Sequence, residues 1–209
     1  MQQNKLKNRL KPYKTKEQAK QYAKQYQSVE MLHINKLIKK TMNKDSVILS
    51  LGCGSGRDEA KLLDEGYKII ASDASQEMLN ETKRYHPKLT TKLIQLPLIP
   101  KLNNKLGGVF SIAMLMHLTT EEIIESFKNI YDILDDTGTF LYSVSLNRSD
   151  VDSNGFDNVG RYFNQLNKED WYTIAKNAGF TIIEDSLFED SLGRKDIVWL
   201  TSVIRKKIP

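Results

Sequence analysis

The segment Val-Ile-Leu-Ser-Leu-Gly-Cys-Gly-Ser-Gly at 47–56, followed seventeen residues later by Asp73, constrains the fold more than any other stretch of the chain. Val47 to Leu51 is a short apolar run of the kind a buried parallel strand gives, and it enters three glycines placed at alternate positions. Beyond the loop, Ala60, Leu62 and Leu63 begin an apolar helical stripe that ends at Gly66. Tyr67 to Ala71 then reads as a second buried strand with Asp73 just past its end. The pattern predicts a βαβ unit with a carboxylate at its tip.

This spacing suits a ligand that carries a nucleoside. Gly52, Gly54 and Gly56 can take backbone angles closed to other residues, and without side chains they let a ligand approach the main chain where amides at a helix start point outward. Asp73, acceptor-only when ionised, suits a vicinal diol such as the two ribose hydroxyls of an adenine nucleoside. The dinucleotide fingerprint needs its third glycine five positions after the first, where this chain has Arg57. That weighs against NAD and FAD.

The rest of the chain alternates in the same way. Periodicity predicts helices near 16–26, 29–42, 57–65, 75–84, 120–135 and 167–178, and strands near 47–51, 67–71, 91–95, 108–113, 138–145, 180–188 and 196–205. Alternation implies a doubly wound α/β sheet with its ligand at the carboxyl ends of the strands, where their order reverses. The last two strands follow one another through a connection containing Gly193, so the final strand is expected to run antiparallel beside its neighbour. A length of 209 residues fits one such domain over 16–209, entered through a helical lid at 16–42.

Charge is unevenly spread. Residues 1–44 hold twelve Lys or Arg against Glu17 and Glu30, a balance of +10, so residues 45–209 carry −5 within the total of +5. Two readings of residues 1–15, expected as a basic flexible arm, stay open: a strand of cations that tracks nucleic-acid phosphates, or a solvated lysine-rich face. Residues 146–160, rich in Asp, Asn, Ser and Gly, are expected as a second flexible segment, and no repeats stand out. No apolar run approaches the ~20 residues that span a bilayer, and the N-terminus lacks the apolar centre of a secretion signal, so a cytoplasmic protein is expected. The single Cys53 cannot form an internal disulfide, and three scattered histidines give no metal-ligand spacing. Cys53 reads as a small side chain tolerated in the loop rather than a nucleophile.

The 47–56 loop resembles motif I of the class I S-adenosylmethionine-dependent methyltransferases, and Ser-Asp-Ala-Ser at 72–75 resembles the acidic strand end that follows it. The likeness continues through 108–118, 132–145 and 160–184, the last similar to the closing helix and sixth strand of small free-standing bacterial members. It covers roughly residues 20–205. It implies a single Rossmann-like, doubly wound, seven-stranded sheet with an antiparallel last strand and helices on both faces. It also implies S-adenosyl-L-methionine as cofactor and S-adenosyl-L-homocysteine as product, with Leu51, Gly52, Cys53, Gly54, Gly56, Asp73, Ala74, Met78, Gln95, Leu96 and Met114 around them.

Two positions depart from the family pattern. Gln95 stands where the family has an acid that meets the adenine amino group, so its carbonyl accepts that bond without charge. Gly107 and Gly108 stand where many members begin the fourth strand with Asp. The resemblance places His117 at the methyl end, and two readings stay open there: a proton acceptor, or a structural histidine satisfied by backbone. Arg57 and Asp58 either fix the N-terminal segment or touch the methionine carboxylate, and Asp58 also suits a helix start.

Tyr22 and Tyr26 on the lid, with His117, Arg161, Tyr162, Arg194 and Trp199, are expected to line the substrate pocket, and two readings stay open for Tyr162 and Trp199: pocket wall, or cap of the sheet edge. The implied reaction is in-line transfer of the sulfonium methyl, most simply to a small molecule. A tRNA methyltransferase using the basic arm, and a non-catalytic cofactor-binding scaffold, are the alternatives. Oligomeric state has no signature in the sequence.

Overall fold

In the computed structural model the described residues are 11–27, 32–102, 104–146, 148–190, 193–194 and 196–207. Residues 1–10 of the basic arm therefore lie outside them. Helices α1 (Lys16–Tyr26) and α2 (Leu32–Thr41) precede the alternating core, which runs β1 (Val47–Leu51), α3 (Arg57–Asp64), β2 (Lys68–Asp73), α4 (Gln76–Tyr85), β3 (Thr90–Leu93) and β4 (Leu106–Ile112). It closes with α5 (Thr120–Ile133), β5 (Leu134–Leu146), α6 (Lys168–Asn177), β6 (Phe180–Glu189) and β7 (Val198–Lys206). One seven-stranded sheet has the order β3-β2-β1-β4-β5-β7-β6. Neighbouring strands are parallel except β7, which is antiparallel to β5 and β6, as the Gly193 connection predicts.

Strand alternation assigns the two faces. Leu49, Val109, Phe140, Tyr142 and Ile204 face the layer of α5 and α6, where Phe127 lies 5.2 Å from Phe140 and 5.4 Å from Tyr142 between ring centroids. Ile48, Phe110, Leu141 and Val203 point the other way, onto Ile34 and Ile38 of α2 and Leu62 of α3. Burying one apolar stripe per helix against each face is what holds such a layered domain together. Among the described residues, no helix is long and apolar enough to cross a membrane.

Three local results differ from the periodicity. β5 begins at Leu134, directly from α5, but its pairing with β4 shifts between Leu106 and Gly108. The expected turn survives inside the strand as an irregularity, with Asp135 accepting from the backbone N–H (2.9 Å) and hydroxyl (3.0 Å) of Thr137. Local structure is also present before residue 16. Lys11–Tyr13 form a single tight turn, and the Tyr13 carbonyl accepts from Ser75 Oγ at 2.7 Å. Finally, the 146–160 segment, expected as flexible, carries its own hydrogen bonds: the Asp152 and Asp157 carboxylates each accept from two backbone amides of their own loop.

The order reverses between β1 and β4, whose outer neighbours β2 and β5 extend in opposite directions. A crevice must open there, beyond the carboxyl ends of the strands. Helix α1 crosses that crevice. Its start is fixed by Thr15 and Gln18, which cap each other's amides at 3.2 and 3.3 Å. Its Ala19 and Ala23 are fully buried against Met78 of α4, and only side chains that small bring the helix this close.

Candidate active site

At the carboxyl end of β1 the chain turns through three glycines with φ of +81° at Gly52, +55° at Gly54 and +77° at Gly56. The amides of Gly52 and Cys53 both donate to the Ser72 carbonyl at 2.8 Å, tying the loop to β2. Asp73 completes the tie: its Oδ2 accepts from the Gly54 amide at 3.1 Å and its Oδ1 from the Ser75 amide at 2.9 Å. Burial pushes the Asp73 carboxyl above its usual range, and the amides of Ser75, Gly54 and Ala74 pull it back. Each glycine has its own reason to be one. A Cβ on Gly52 would meet Met114 Cγ at 2.5 Å, and one on Gly56 would meet Thr82 Cγ2 at 2.5 Å. A Cβ on Gly54 would meet only Met78 Cε, at 3.9 Å, so Gly54 presents bare backbone to open space.

That space is a cavity of about 320 Å³, bordered by Leu51, Gly52, Cys53, Gly54, Asp73, Ala74, Met78, Gln95, Leu96 and Met114 at one end. Gly56 does not border it; its work is packing against α4. Gln95 lies two residues past the end of β3, in the cavity wall and otherwise exposed. No acid fits at the start of β4, because a Cβ on Gly107 would meet Ser46 Cβ at 2.2 Å and one on Gly108 would meet Met42 Sδ at 2.7 Å. Burial pushes the Cys53 thiol well up, which leaves a small neutral side chain in the wall.

The roof comes from the N-terminal segment. Tyr22 and Tyr26 lie one turn apart on α1, with rings parallel and centroids 6.4 Å apart, and Tyr13 packs on Tyr22 at 5.0 Å. All three border the cavity. Arg57 donates from Nη1 to the Tyr26 carbonyl at 2.5 Å and pairs with Asp58, so of its two expected roles it performs the first, fixing the N-terminal segment.

His117, Arg161 and Arg194 border the far end of the same cavity, together with Arg148, Phe163 and Trp199. His117 Nδ1 lies 2.6 Å from the Tyr162 carbonyl, which can only accept, so Nδ1 carries the proton in the neutral ring. Burial, with Arg161 and Arg148 nearby, lowers its pKa to about 4, so the ring is neutral at physiological pH. Tyr162 thus serves through its backbone; its ring packs on Phe156 at 5.5 Å and does not border the cavity. Arg161 donates from Nε to Asp157 at 2.7 Å and Arg194 from Nε to Asp190 at 3.0 Å. Trp199 Nε1 also donates to Asp190, at 2.9 Å, so of its two expected roles it takes the pocket one.

Residues 48–138 match a family model described as a methyltransferase domain. Over those residues the chain is similar to a methyltransferase domain. No curated protein matches the chain. The fold is that of a S-adenosylmethionine-dependent methyltransferase from Clostridium acetobutylicum, at 15% identity over 90% of this chain and 99% of that one, with a TM-score of 0.70. A TehB-like S-adenosylmethionine-dependent methyltransferase from Corynebacterium glutamicum is equally similar, at 16% identity over 92% and 100% with a TM-score of 0.70. A 1,6-didemethyltoxoflavin-N1-methyltransferase from Burkholderia thailandensis, solved with 1,6-didemethyltoxoflavin and S-adenosylhomocysteine bound, matches at 18% over 83% and 76% with a TM-score of 0.64. The class I resemblance seen in the 47–75 segment is thereby borne out for the fold, and the family model agrees with it over 48–138.

Several residues of the cavity carry no motif. Glu59, on the first turn of α3, is buried and accepts from Ser50 Oγ at 2.5 Å. Burial, with Asp58 adding to it, raises its pKa to about 7. Arg148 is buried with its guanidinium 3.9 Å from the Phe163 ring centroid. Asp157 and Asp190 are buried behind Arg161 and Arg194. A signal for this last pair exists in the sequence: D-x-x-G-R occurs at 157–161 and again at 190–194.

Proposed function

We propose that this chain transfers the methyl group of S-adenosylmethionine to a nucleophile on a small molecule. The observation that carries the reading is one roofed cavity that joins the bare Gly54 backbone and the Asp73 carboxylate to the His117 and arginine end. The residues fit the cofactor: Asp73 retains lone pairs for a ribose diol beyond those used on Gly54 and Ser75, Gly54 leaves room for a ligand, and Leu96, Met78 and Met114 offer apolar walls. Gln95 offers a carbonyl to the adenine amino group. When bound, the cofactor supplies a methyl group already activated on a sulfonium.

What the protein adds is alignment and exclusion of water. Tyr13, Tyr22 and Tyr26 cover the cavity, and holding two reactants in line is worth roughly 7–11 kcal/mol in well-oriented model systems. An acceptor that must shed a proton meets His117, neutral and with Nδ1 committed to the Tyr162 carbonyl. The roof favours a small acceptor over a polynucleotide, and the reading is supported by the 1,6-didemethyltoxoflavin-N1-methyltransferase of the same fold, solved with 1,6-didemethyltoxoflavin bound. Incubation with methyl-labelled cofactor and fractionated cell extract tests this. Label in the small-molecule fraction is expected, with His117→Ala lowering turnover far more than cofactor affinity. Label confined to RNA or protein overturns the acceptor class.

A further inference from the structure

The acceptor end holds one turn built twice. In Asp157–Arg161 and in Asp190–Arg194 the glycine amide donates to the aspartate carbonyl, at 3.0 and 2.9 Å, and the glycine takes a φ of +82° and +70°. The arginine four residues on then returns to the aspartate carboxylate through its backbone amide, at 2.8 and 3.2 Å, and through Nε, at 2.7 and 3.0 Å. The aspartate side chains are 2% and 1% exposed and the arginines 16% and 33%. Each carboxylate therefore sits behind its guanidinium and orients it from the rear. The two turns come from different connections, after β5 and after β6, yet both deliver an arginine to the same cavity.

Arg148 completes the group in the opposite sense. It is 2% exposed, while its partner Asp150 is 46% exposed and screened by solvent, so inside the cavity its charge is the less cancelled of the two. All three arginines commit Nε and Nη2 to aspartates, and the Nη1 nitrogens donate to no described residue. A planar fork held by one edge presents its other donors at fixed angles, the arrangement that recognises an oxyanion.

We propose that Arg148, Arg161 and Arg194 bind a carboxylate or phosphate on the methyl acceptor, which is a small aromatic acid whose ring lies among Tyr22, Tyr26 and Trp199. Asp157 and Asp190 are positioning residues for this site. The inference rests on the methyltransferase reading but is tested apart from it. Benzoate and phenyl phosphate, with benzamide as the uncharged counterpart, are titrated calorimetrically into the full chain with and without saturating S-adenosylhomocysteine.

At least one of the two anions is expected to bind about tenfold or more tighter than benzamide, and the stronger one distinguishes carboxylate from phosphate. Arg161→Gln and Arg194→Gln are each expected to remove about tenfold of that affinity, and Arg161→Lys to retain part of it, with benzamide and S-adenosylhomocysteine binding unchanged. Equal binding of benzamide, no anion binding at millimolar concentration, or loss of S-adenosylhomocysteine affinity in the arginine variants overturns the proposal. Should S-adenosylhomocysteine itself fail to bind, the cofactor reading falls, while anion-selective binding to the unloaded protein upholds the arginine site and its absence overturns it.

Discussion

The two ends of the cavity are made differently. At the glycine loop the working surface is backbone: strand ends, amides and one carboxylate, fixed by parallel pairing of β1 with β2. At the arginine end it is long side chains on irregular connections, held in place by buried aspartates. The first design follows from the sheet and serves any nucleoside ligand of the right shape. The second is independent of the sheet, which lets one fold take many acceptors without altering its cofactor end.

Substitutions at either end test this division. Asp73→Ala is expected to weaken S-adenosylhomocysteine binding by roughly 10²–10⁴-fold, since two charge-assisted bonds to a diol are lost. Asp157→Asn is expected to leave that binding unchanged and to weaken the acceptor alone. Equal loss in both variants would break the comparison.

Acid titration separates the ends by sign. At the loop, burial lifts the Glu59 carboxyl from its ordinary 4.5 to about 7, so its contribution to stability is present below pH 4.5 and lost as pH rises through 7. Asp73 is shifted in the same direction. At the far end, His117 falls from 6.5 to about 4, so its contribution is present above pH 6.5 and lost as pH falls through 4. The Glu59 and His117 contributions are each about 3 kcal/mol, and in the intact protein they oppose one another. Denaturant melts between pH 4 and 7 should therefore show stability rising with pH in Glu59→Gln and falling with pH in His117→Asn. The same slope in both variants would contradict the assignment.

Glycine substitutions give the smallest effects. Gly52→Ala sets a Cβ 2.5 Å from Met114 at a φ of +81° and is expected to cost about 2 kcal/mol or more. Gly160→Ala carries the same backbone strain at +82° with nothing within 4 Å and is expected to cost about 1 kcal/mol. Urea titrations measure both. Similar losses would mean that contact with Met114 adds nothing.

The same division explains what the sequence made legible. The loop, Asp73 and the strand order are written in periodicity and in glycine placement, because only certain residues permit that backbone. Gly56 packs closely against Thr82, and a glycine needed for such packing looks the same in sequence as one that faces a ligand. The sequence of Tyr162 advertises a ring, whereas in the fold it is the carbonyl that meets His117. Arg148, Asp157 and Asp190 lie in connections where no period guides the eye, and the D-x-x-G-R turns become meaningful only once both reach one cavity. Tyr13, counted with the basic arm, belongs to the roof.

The most direct test of the account is a calorimetric titration of the full-length chain with S-adenosylmethionine, run beside Asp73→Ala and Arg161→Gln. The account predicts saturable binding that Asp73→Ala largely abolishes and Arg161→Gln leaves intact. Absence of binding heat at saturating cofactor, or unchanged affinity in Asp73→Ala, would contradict it.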